Sequence, residues 1–118
     1  QLALFTSLSA EDEKALLRVT LREWEKQSEQ FAALFDAWRA GDAEAIDRLM
    51  NRTMRADAPG IYDILIARRN RAWADRIAAM SPDSGPTLIV VGAAHLVGEG
   101  SVPALLRARG IEVTRVLE

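Results

Sequence analysis

Leu17, Leu21, Trp24, Phe31, Phe35 and Trp38 recur on alternating four- and three-residue steps, with polar Ser28 in the single gap. That is a helical period with a heptad character. Ser9 is a good N-cap, and Asp12 three residues on completes a variant of the capping box. The spacing predicts a helix from about Ala10 to Ala40. A continuous helix of that span would run roughly 45 Å, against a radius of gyration of about 13–14 Å for a compact domain of this size. It therefore either breaks in the polar stretch from Glu25 to Gln30 or projects from the body as a dimer arm.

Gly41 ends that pattern and Asp42 caps the next, in which Ile46, Leu49, Met50, Thr53 and Met54 share one face. Pro59 suits the first turn of a third helix, running from about Pro59 to Met80. This helix has two apolar stripes, Ile61, Ile64, Leu65 and Ala72 on one side and Ile66, Trp73 and Ile77 on the other, so it is expected to lie between neighbours. Residues 81–86 form a turn by composition. Thr87 to Val91 is a short β-branched apolar run that reads as a strand buried on both faces. Ser101 caps a short helix containing Val102, Leu105 and Leu106, and Ile111 to Leu117 reads as a second strand. The expected class is α/β (an α+β fragment): helices over residues 1–80, then a parallel βαβ unit over 86–118 that completes a larger sheet.

The 118 residues suffice for one domain with one core. A net charge of −2 gives no basic face for nucleic acid. No apolar run approaches the roughly 20 residues needed to span a bilayer. There is no cysteine, which removes disulfides, thiolate nucleophiles and cysteine-based zinc sites. The chain opens Gln1-Leu2-Ala3-Leu4 without an initiator Met or a signal-peptide pattern, as expected after a cleavage or downstream of further sequence.

The densest candidate chemistry is the segment from Val91 to Ser101, at the carboxyl end of the first expected strand, where open α/β sheets bind ligands. Gly92 allows a sharp exit, and Ala93 and Ala94 leave room. His95 is the only histidine; its imidazole could ligate a metal or move a proton near neutral pH, or serve as a hydrogen-bonded structural residue. Glu99 follows four residues later, and Gly98 and Gly100 make that stretch pliable. One His and one Glu fall short of the three protein ligands usual for a catalytic zinc. On the third helix, Asn70 lies on the stripe of Ile66, Trp73 and Ile77, where an amide is costly unless bonded. Arg69 lies beside Trp73 on the helical wheel and could reach the same pocket. Arg68 and Arg71 read as a solvated face, with Arg71–Asp75 a weak pair.

At these residues the chain resembles the TraB/GumN (TraB/PrgY/GumN) family. The matching pieces come in order: Gln1-Leu2, Ala37-Trp38 with Gly41-Asp42, Arg69-Asn70 with Trp73, Gly92-Ala93-Ala94-His95 with Gly98 and Gly100, then Leu105-Leu106 and Gly110. The resemblance covers the C-terminal part of the family's domain. It implies a full form with two GxxH motifs and an acidic residue in its N-terminal half. It also implies a relation to the Tiki proteins, which are divalent-metal-dependent proteases. By that analogy His95 is a ligand or general acid/base, with Glu99 as a further catalytic candidate. Gly92, Arg69, Asn70, Trp73, Gly98 and Gly100 would shape or support the pocket. A divalent ion (Mn, Co or Zn) would find an incomplete site here. The partner would be the missing N-terminal half, and an extracytoplasmic location follows from the resemblance alone.

The leading expectation is thus the C-terminal part of a metal-dependent hydrolase acting on peptide or ester bonds, inactive alone. The rival is a non-catalytic binding or regulatory domain that associates, as a homodimer or with a partner, through Trp24, Phe31 and Trp38.

Overall fold

The structure, a computed structural model, describes residues 9–23, 27–80 and 85–116. Helix α1 spans Ala10–Glu23. At its start the Ser9 hydroxyl accepts from the Asp12 backbone N–H at 3.1 Å and donates to Asp12 Oδ2 at 2.7 Å. Glu11, Asp12 and Glu13 place negative charge where the helix dipole favours it. Helix α2 spans Gln27–Arg39. Residues 24–26, which include Trp24 and the start of the polar stretch where a break was one of the two expectations, lie outside the described residues.

Helix α3 spans Ala43–Ile46, capped by Asp42, whose Oδ1 accepts from the Ala45 N–H at 2.9 Å. A π-helical segment, Asp47–Arg52, follows without a break and passes into α4, Thr53–Asp57. The same construction recurs next. Helix α5, Pro59–Tyr62, widens into a π segment, Asp63–Ala67, and continues as α6, Arg68–Ala78. Each π segment admits an extra residue to the turn and rotates everything beyond it on the helix surface. A 3₁₀ turn covers Ala93–His95, and α7 spans Val102–Arg107 with Ser101 as its N-cap.

The α/β expectation is overturned. The described residues are helical and contain no strand, so the parallel βαβ unit over 86–118 is absent from them. Among the described residues, neither candidate strand has a ladder partner. Strand identity depends on inter-strand hydrogen bonds, and an apolar β-branched run does not supply a partner. The burial expected on both faces is absent too: Leu88 is 88% exposed and Val90 83%.

Two small cores hold the chain together. Ala37, Ala45, Ile46 and Val97 form the first, with Leu34, Met50 and Ala93 against it. Ala74, Val102 and Leu106 form the second, flanked by Trp73, Ile77 and Ile111. The segment from Gly92 to Ser101 bridges them, since Val97 belongs to one and Val102, just beyond Ser101, to the other. That position fixes the loop carrying the only histidine.

Candidate functional site

His95 is buried at the end of the 3₁₀ turn, which is closed by the His95 N–H on the Gly92 carbonyl at 3.0 Å. Its Nδ1 lies 2.6 Å from Oδ1 of Asn70, a side chain with no exposed surface. The other end of that amide settles the proton. Asn70 Nδ2 donates to the Gly100 carbonyl at 2.8 Å, so the end facing the imidazole is the acceptor. Nδ1 must therefore carry the hydrogen. Nε2 is then left with the lone pair.

Trp73 packs on the imidazole, with ring centroids 4.8 Å apart and planes tilted by 58°. The Arg69 guanidinium sits over the Trp73 ring at 4.8 Å and donates to the Leu65 carbonyl at 3.2 Å. Trp73 thus contacts both the guanidinium and the imidazole. Burial, and secondarily the Arg69 charge, lowers the His95 pKa from the ordinary histidine value. The ring is consequently neutral at pH 7.

A second asparagine, which sequence reasoning missed, grips the same loop from the opposite core. Asn51 is 4% exposed and lies in the first π segment. Its Nδ2 donates to the Ala94 carbonyl at 2.9 Å, the Val97 carbonyl at 3.2 Å and Asp47 Oδ1 at 3.1 Å. The four-residue spacing of Asp47 and Asn51 was the one available signal. It marks a polar pair on one helix face but does not say what that face meets.

Gly98 is held against Asp47. Its φ is +83°, and a Cβ there would stand 2.1 Å from Asp47 Oδ1. Asp47 in turn accepts from Arg52 Nε at 2.9 Å, and Arg52 also pairs with Glu44 at 2.6 Å. Gly92, by contrast, has an ordinary φ of −64° and open space where a Cβ would lie. Gly100 contributes its carbonyl to Asn70. Glu99 is exposed and lines a separate cleft with Glu44, Asp47, Arg52 and Arg55, and no bond joins it to His95. Arg71 pairs with Asp63 at 3.0 Å, as does Arg68 at 2.5 Å, while Asp75 pairs with Arg109; the expected Arg71–Asp75 pair does not form. The i−8 and i−5 contacts to Asp63 span the second π segment, which shifts that face relative to a regular helix.

For a divalent metal, the fit is one ligand deep. An imidazole whose Nδ1–H is held by a carbonyl oxygen and whose Nε2 carries the lone pair has the form of a metal-bound histidine. Among the described residues, however, no three His, Cys, Asp or Glu side chains converge. The described residues would offer such an ion a single position, Nε2 of His95.

The chain is similar to Uncharacterized protein YbaP of Escherichia coli (strain K12) and of Shigella flexneri, each 34% identical over 93 residues, which cover 79% of this chain and 33% of theirs. It therefore spans about a third of the length of the curated relatives it matches. No solved structure matches. The family match runs over residues 1–115, nearly the whole chain, and on that ground the chain belongs to the TraB/PrgY/gumN family.

Proposed function

We propose that this chain is the part of a hydrolase, acting on peptide or ester bonds, that contributes one of its histidines. The observation that carries the reading is the 2.6 Å contact of His95 Nδ1 with Asn70 Oδ1. With Nδ1–H committed to Asn70, only Nε2 is free to accept a proton from an attacking water or to face a metal ion. Asn70 steadies the imidazolium formed on proton transfer. Arg69 disfavours it, which speeds return of the proton to the leaving group. The remaining groups would come from the rest of the polypeptide, seated in the apolar cleft walled by Trp38, Ile46, Leu96, Val97 and Pro103. The divalent ion that the family resemblance implies would take its other donors from there too.

The test compares full-length protein with its His95→Ala variant by hydrolase profiling on peptide and ester substrates and by metal analysis. The reading predicts loss of hydrolysis by about 100-fold or more, the usual scale for a removed acid/base group. Unchanged activity and unchanged metal content would overturn it.

One observation favours a second reading, association without catalysis. Phe31, Phe35 and Trp38 stand 70%, 47% and 60% exposed along one side of α2, and exposed aromatic groups of this kind mark interaction surfaces. Sedimentation of the wild-type chain and its Phe31→Ala/Trp38→Ala variant separates the two. A self-associating chain whose dimer is lost in the variant supports this reading, and a monomer in both cases removes it.

A further inference from the structure

The carbonyl oxygens of Ala94 and Val97 flank His95 in sequence, and both are bonded by the same side-chain nitrogen, Nδ2 of Asn51. We propose that Asn51 is a positioning residue for His95, acting through the backbone on either side of it. This rests on the reading of His95 as the reactive group.

Three features support the assignment. First, the amide orientation is forced. Nδ2 faces three acceptors, the two carbonyls and Asp47 Oδ1, and the reverse orientation would set oxygen against oxygen at all three. Second, Asn51 Oδ1 is buried without a hydrogen-bond partner. A buried unpaired carbonyl is a cost to the fold, so an amide is a poor choice at this position for stability alone. What the amide offers that an apolar side chain does not is a two-hydrogen donor aimed at the loop. Third, Asn51 and Asn70 reach the loop by the same structural means. Asn51 lies inside one π segment and Asn70 lies three residues beyond the other, so each amide is presented by a helix widened at or just before it. Such widenings concentrate at functional sites because they redirect a side chain without ending the helix. Asn70 then fixes the ring through Nδ1, and Asn51 fixes the peptide units that carry it.

The readout is the tautomer of the sole histidine, followed by ¹⁵N resonances of the ring at a pH where it is neutral. The wild-type chain is expected to show Nδ1–H alone. Asn51→Ala, with its fold retained by circular dichroism and amide dispersion, is expected to show a mixture of both tautomers, since a loosened loop weakens the contact to Asn70. A folded Asn51→Ala protein that keeps pure Nδ1–H overturns the proposal. Should that variant not fold, the unmodified chain decides: the Asn51 side-chain protons should exchange with solvent about tenfold or more slowly than those of an exposed amide, and free exchange overturns it equally. Neither measurement needs hydrolysis, so either can fail while the hydrolase reading stands.

Discussion

Asn70 and His95 are joined by a 2.6 Å contact in which the amide carbonyl accepts from the imidazole Nδ1–H. The amide cannot turn over without losing its bond to the Gly100 carbonyl, so the side chain fixes the ring proton and the loop end together. Asn70→Ala removes both bonds and leaves a buried N–H and a partly buried carbonyl without their partner. The expected cost is about 2–4 kcal/mol, read as a lowered urea midpoint. A loss below about 1 kcal/mol would mean that water replaces the amide without penalty.

The pH dependence of stability follows from the lowered His95 pKa. The unfolded chain takes up its histidine proton first as pH falls, at about 6.5, while the folded chain resists protonation because of burial and, secondarily, Arg69. Stability is therefore full above that pH and declines as pH falls towards the folded value, below which the histidine contribution levels off. His95→Gln should flatten this window in denaturation curves taken between pH 7 and 5. A wild-type curve as flat as the variant's would contradict the assignment.

Removing the Arg69 charge should move the imidazole the other way. In Arg69→Gln the secondary cause of the lowered pKa is gone, so the His95 titration midpoint rises while burial still holds it below the ordinary value. The lost stacking on Trp73 should cost about 0.5–1 kcal/mol. A proton NMR titration reads the midpoint directly because the chain has a single histidine.

The two glycines flanking His95 should respond oppositely to alanine. Gly98→Ala places a Cβ into Asp47 at a φ of +83°, and is expected to cost about 2–4 kcal/mol from strain and collision combined. Gly92→Ala meets open space at a φ of −64° and should be neutral or stabilising by about 0.4–1 kcal/mol. Thermal melts of the two variants test the contrast. Equal destabilisation would contradict the loop geometry.

The local features were legible and the non-local ones were not. Ser9, Asp42 and Ser101 cap helices because a short polar side chain beside an apolar period has one favourable use, and each is bonded accordingly. Asn70 was legible because an amide on the stripe of Ile66, Trp73 and Ile77 demands a partner. Asn51 was hidden because a regular 3.6-residue period gives no notice of a π segment, and the widened turn decides where its amide points. The misread strands have a different cause. Thr87–Val91 has the composition of a strand, but composition states a preference for extended backbone and leaves the hydrogen-bonding neighbour unspecified. The absence of the Arg71–Asp75 pair has another cause: both residues sit at regular spacing in α6, but each is taken by a competitor, Arg71 by Asp63 and Asp75 by Arg109.

The grip on the histidine loop also sets how the site answers to its medium. Amide nitrogens of Asn51 and Asn70 hold it through the carbonyls of Ala94, Val97 and Gly100, and none of these five groups titrates in the physiological range. Dissolved electrolyte screens charges but leaves such neutral dipolar contacts nearly untouched. The loop should thus keep its shape from dilute buffer to high ionic strength, where the exposed pairs of Asp63 with Arg68 and Arg71 weaken.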